Sequence, residues 1–123
     1  MRSITLDELL SSEIDAVRDY LDKNALASGV EDLYWIPLDI SLWNERQRQA
    51  QVETMADGFR LAVELGPQWV RFELLVRSES LLNIGGGQAD EQQTLFMLRW
   101  ANDMVRALNL ISCGDDSMKG DKG

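Results

Sequence analysis

The chain reads as an α+β protein. The expected architecture is an antiparallel β-meander built on a central hairpin over residues 59–76, with an N-terminal and a C-terminal helix packed on one face of the sheet. Three observations predict it. The segment FRLAVELGPQWVRFELLV alternates apolar and polar residues on two arms, Phe59, Leu61, Val63 and Leu65, then Val70, Phe72, Leu74 and Val76. Period-two alternation places each set on one face of a pleated strand. Long stretches of helical periodicity flank this segment on both sides, and neither an internal repeat nor a linker interrupts the layout.

Gly66 and Pro67 break the alternation where a turn is needed. If Leu65 lies opposite Val70, then Val63 faces Phe72, Leu61 faces Leu74 and Phe59 faces Val76. The other face then sets Glu64 beside Arg71, a favourable cross-strand charge pair.

From the N-terminus, residues 5–28 have the pattern of an amphipathic helix. Thr5 and Glu8 fit a T-x-x-E capping box, and Ile4 with Leu9 fits a hydrophobic staple. Leu6, Leu10, Ile14, Val17 and Leu21 form its stripe, Leu9 and Tyr20 widen it, and Gly29 is placed to end it. The outer side carries Glu13, Asp15, Asp19 and Asp22. LYWIPL, residues 33–38, is a short aromatic strand, with Pro37 expected at an edge or strand end. Residues 41–54 admit two readings. One is a helix over about 42–51 capped by Ser41. The other is a strand in which Ala50, Val52 and Thr54 alternate before an Asp57–Gly58 turn. The favoured combination is a helix, then a short edge strand just before Asp57.

After the hairpin, residues 81–84 should return as a third meander strand that Gly85, Gly86 and Gly87 end. Asp90 with Gln93 is a second capping-box-like start, opening a helix over about 91–111. Met97, Ala101, Met104, Leu108 and Ile111 form one apolar stripe, with Phe96, Trp100, Ala107 and Leu110 as a flank. The domain is expected over residues 1–113, with a disordered tail over 114–123 that lacks apolar periodicity.

Composition narrows function. The chain has 123 residues, 21 acidic and 12 basic, with a formal net charge of −9. Nucleic-acid binding needs a basic surface, so no nucleic-acid partner is expected, and anionic membranes are disfavoured likewise. No apolar run approaches the ~20 residues that span a bilayer, and the acidic N-terminus lacks the pattern of a secretory signal, so a cytoplasmic address is expected. The chain contains no histidine, which removes the commonest general base and metal ligand near neutral pH.

The remaining chemical candidates are weak on their own terms. The triple glycine lacks P-loop spacing and a following Lys-Ser or Lys-Thr, and Asp90 and Glu91 would repel a phosphate. Cys113 follows a helix C-terminus, where the dipole opposes a thiolate, and has no histidine to pair with. Asp115, Asp116 and Asp121 lack the ligand pattern of a calcium loop. Glu64 and Glu73 share a sheet face with Arg60, Arg71 and Arg77, which suits a surface ion-pair lattice better than a catalytic carboxylate pair. The expectation is therefore no enzyme, no cofactor and no metal.

The last helix is apolar around most of its circumference, so either its own chain wraps it or a second subunit does. Four tryptophans in this length add contact area, and tryptophan is enriched at binding hot spots. The expected interface residues are Phe96, Trp100, Ala107 and Trp69, in a homodimer that acts by protein–protein contact, with a partner of basic surface as a further expectation. In size, charge and element mix the chain resembles small acidic helix-and-sheet dimers that escort other proteins, such as type III secretion chaperones. That resemblance of architecture implies an adaptor or chaperone-like role. The alternative is a small-ligand module with an apolar pocket between the sheet and the C-terminal helix, lined by Met97, Met104 and Trp100.

Overall fold

The computed structural model describes residues 3–54, 58–79 and 85–110. They form an antiparallel sheet with three helices, an α+β arrangement. The strands are β1 (Ser3–Leu6), β2 (Leu26–Ala27), β3 (Leu33–Pro37), β4 (Phe59–Leu65), β5 (Val70–Glu73), β6 (Leu75–Ser78) and β7 (Gly87–Gln88). The helices are α1 (Ser11–Asn24), α2 (Glu45–Thr54) and α3 (Glu91–Leu108). The sheet order is β1-β5-β4-β3-β2, and β6 continues the β5 arm to pair with β4 on one side and β7 on the other.

The hairpin turn holds the expected register. Leu65 lies opposite Val70, Glu64 opposite Arg71 and Val63 opposite Phe72. The Gly66 N–H donates to the Trp69 carbonyl at 2.8 Å to close the turn. The Trp69 indole lies so close over Gly66 that a Cβ there would collide with it, which is why glycine precedes Pro67. Farther from the turn the register changes. Phe59 lies opposite Ser78 and Arg60 opposite Arg77, instead of Phe59 facing Val76 and Leu61 facing Leu74. Two extra residues enter the second arm around Leu74, where the strand breaks between β5 and β6. An insertion of two leaves the pleat in phase. All eight alternating apolar residues are therefore buried on one face as expected, with Ser78 buried opposite Phe59.

The expected helix over 5–28 is split. Ser3–Leu6 is a strand, with Ile4 opposite Phe72 and Leu6 opposite Val70. The β-branched Ile4 and Thr5 suit that ladder. Glu8 has φ +56°, a left-handed conformation through which no right-handed helix runs, so the Thr5–Glu8 box and the Ile4–Leu9 staple do not form. The Leu9 N–H instead donates to the Gln68 carbonyl at 2.8 Å. Helix α1 starts at Ser11, where the Glu13 carboxylate accepts the Leu10 N–H at 2.9 Å. It buries Ile14, Val17 and Leu21. It ends at Ala25, which is extended, because the chain turns at once into β2. Gly29 lies in the following loop with φ +92°.

Strand β3 matches its expectation, with Pro37 at its last position. The ambiguous segment is helical. Asp39 accepts the Ser41 N–H and caps a 3-10 turn over Ile40–Leu42. Asn44 and Gln47 then form a reciprocal capping box at the start of α2. Val52 is exposed on this helix, so the alternating reading of Ala50, Val52 and Thr54 does not hold. Residues 55–57 and 81–84, and with them the edge-strand and third-strand expectations, lie outside the described residues. So do Ile111, Cys113 and the tail over 114–123. Among the glycines, Gly87 does not end a strand but belongs to β7, opposite Val76.

At α3 the Asp90–Gln93 capping box is present, with the Gln93 N–H donating to Asp90 Oδ1 at 2.8 Å and the Asp90 N–H donating to Gln93 Oε1 at 3.1 Å. The helix ends at Leu108, three residues earlier than expected, because Asn109 adopts the left-handed conformation of a C-cap. Met97, Ala101 and Met104 join Ile14, Val17 and Leu21 and the eight hairpin residues in one core cluster. The helices lie on that side of the sheet. Among the described residues no helix is long and apolar enough to cross a membrane.

Candidate binding surfaces

The pleat sends alternate residues of each strand to the side away from the helices. From β3 these are Leu33, Trp35 and Pro37, and from β4 Arg60, Ala62 and Glu64. The β5 and β6 strands add Arg71, Glu73, Leu75 and Arg77. The Arg60 guanidinium stacks over Trp35, 4.0 Å from the ring centroid. Arg71 stacks over Trp69 at 4.5 Å and also reaches Glu64 at 3.4 Å. Arg77 pairs with Glu73 at 3.2 Å. The expected ion-pair lattice is therefore present.

It has one unfavourable element. Arg60 and Arg77 stand directly opposite each other across β4 and β6, and like charges in that relation repel. Their guanidinium groups take different partners, Arg60 stacking on Trp35 and Arg77 reaching back to Glu73 at the end of β5. Their Nε atoms are buried without a hydrogen-bond partner among the described residues. Within the strands this face carries three arginines against two glutamates, in a chain whose net charge is −9.

A second surface lies on α3. Phe96 and Trp100 are half-buried and packed against the core. Trp100 meets Tyr20 of α1 edge-on, with centroids 5.6 Å apart, and Phe72 of β5 at 6.0 Å. The wide apolar arc is thus largely covered by the chain's own first helix and sheet. Ala107 is exposed. On α3 the large apolar side chains left in solvent are Leu95, 44% exposed, and Leu98, 41% exposed. They border a groove of about 550 Å³ between α3 and the β6–β7 corner, lined also by Leu74, Ala89 and Thr94. This is the position of the expected pocket but not its lining, since Met97 and Met104 are fully buried in the core.

A third, polar cluster joins α1 to the start of β3. Arg18 donates to Asp32 Oδ1 at 2.9 Å and approaches Asp15 at 3.5 Å. The Tyr34 hydroxyl donates to Asp22 Oδ1 at 2.7 Å. Burial, reinforced by that bond, pushes the Tyr34 phenol up to about 12. The Asp32 hydrogen bond likewise raises Arg18. These contacts staple a loop, because Asp32 has φ +61° and its carbonyl accepts the Leu65 N–H at 2.9 Å. Among the described residues no group of three or more His, Cys, Asp or Glu side chains could hold a metal ion.

No family model, no curated protein and no solved structure matches the chain.

The four expected interface residues therefore do not share one surface. Trp69 lies half-buried at the hairpin turn, under Arg71. Phe96 and Trp100 pack inward, and Ala107 lies on solvent. The sequence reading missed Leu95 and Leu98. The signal was there, because Gln93 and Met97 fix the inward direction of α3 and residues two and five positions after Gln93 then point out at helical spacing.

Proposed function

We propose that the chain is a protein-binding module, adaptor-like or chaperone-like and cytoplasmic, whose contact surface is the helix-free face of the sheet. The observation that carries this reading is the pair of Trp–Arg stacks, Trp35 with Arg60 and Trp69 with Arg71. Tryptophan and arginine are the residues most enriched at binding hot spots, and here they are held in place by a rigid ladder. An arginine stacked on an indole gives up little freedom when a partner arrives. The absence of histidine from the chain favours binding over acid–base catalysis. Contact between a partner of basic surface and the acidic side of α1, with Asp15, Asp19 and Asp22, is the competing reading.

Affinity capture from the source cells tests the proposal when run with three forms of the chain. A partner retained by the wild type and by Asp19→Lys, and lost by Arg60→Asp, supports it. A partner lost by Asp19→Lys and kept by Arg60→Asp moves the contact surface to α1.

A further inference from the structure

We infer that the exposed side of α3 docks a second copy of this chain, with the two helices antiparallel across Leu95 and Leu98. Two observations carry this beyond the sheet-face reading. The first is apolar. Leu95 and Leu98 are large apolar side chains left about two-fifths exposed on the solvent side of α3, and they stand beside an open groove. Residues 91, 95, 98 and 102 fall on one stripe at the alternating four-and-three spacing with which helices pack.

The second observation is charge. In an antiparallel pair with the two-fold axis between Leu95 and Leu98, each Leu95 meets the partner copy's residue 98. The same geometry brings Glu91 opposite position 102 of the other copy. Arg99 and Arg106 flank position 102 at helical spacing, three residues before it and four after. Glu91, Arg99 and Arg106 are all exposed, and none makes an ion pair among the described residues. The stripe is thus acidic at one end and basic at the other, so it complements its own reverse. A two-fold contact requires such self-complementarity, whereas a parallel pair would set Glu91 beside Glu91. Asp103 lies off this stripe, on the far side of Arg99.

Sedimentation equilibrium of the full chain at micromolar concentration, with circular dichroism confirming that each form is folded, tests the inference. The wild type should show a monomer–dimer equilibrium, and Leu98→Glu should weaken it by at least roughly tenfold by setting charge into an apolar contact. The orientation has its own test. Glu91→Arg alone and the double variant Arg99→Glu, Arg106→Glu alone should each be monomeric. An equimolar mixture of the two should dimerise, because one copy then presents only bases and the other only acids along the stripe. A wild-type monomer, as expected if another segment of the same chain shields Leu95 and Leu98, overturns the inference. So does a dimer that Leu98→Glu leaves intact, or a mixture no more dimeric than its components.

Discussion

The Gln93 side-chain amide donates to Gln47 Oε1 at 2.8 Å, joining two helix starts 46 residues apart in the sequence. Each glutamine also closes the capping box of its own helix, Gln47 with Asn44 and Gln93 with Asp90. Gln93 donates in addition to the Leu42 carbonyl at 2.8 Å. Both side chains are fully buried, so these bonds form in a low-dielectric setting where an unmet partner is costly.

Gln93→Ala removes the α3 box and leaves the Leu42 carbonyl without that donor. The expected loss is about 1–3 kcal/mol, the cost of stranding a buried polar group. Urea denaturation measures it, and a loss near zero would show that the two boxes are not energetically linked.

Phe72 sits at the middle of the core, opposite Val63 and Ile4 and against Trp100. Phe72→Ala should cost about 3–5 kcal/mol, the usual range for deleting a buried aromatic. Glu64→Gln, on the other face, should cost less than about 1 kcal/mol, because its pairing with Arg71 is substantially solvated. Comparable losses for both in chemical denaturation would mean that the two faces are misassigned.

The Tyr34 phenol gives a pH prediction. Its folded value, about 12, lies above the ordinary value of 10.0. A group raised on folding contributes stability that is fully present below the unfolded value and is lost as pH rises through the folded one. The contribution should therefore hold up to about pH 10 and disappear between there and about pH 12. Tyr34→Phe should remove this part of the alkaline loss. Ultraviolet titration should show a late phenol ionisation in the wild type that is absent in the variant.

Much of this fold was legible because its signals are local. The Gly66–Pro67 break and the alternation on either side set the register at the turn, and Asp90 with Gln93 marked the start of α3. The two-residue insertion near Leu74 was not legible, since adding two residues leaves a period-two pattern unchanged. Strand β1 was hidden for another reason. Its partner β5 lies more than sixty residues away, and four residues followed by acidic positions resemble a helix start until Glu8 turns left-handed. At the surface, the apolar excess of α3 was visible, but how much of it the chain's own elements cover was not. Tyr20 reaches Trp100 only through the tertiary packing of α1 on α3, which leaves Leu95 and Leu98 as the uncovered pair.

Photocrosslinking in the source cells tests the central claim most directly. A benzophenone amino acid is placed at Leu33 on the helix-free sheet face, and at Asp19 on the outer side of α1 as the control. The account predicts a discrete protein adduct from position 33 that Arg60→Asp abolishes, and none from position 19. Adducts from position 19 with none from position 33 would contradict it.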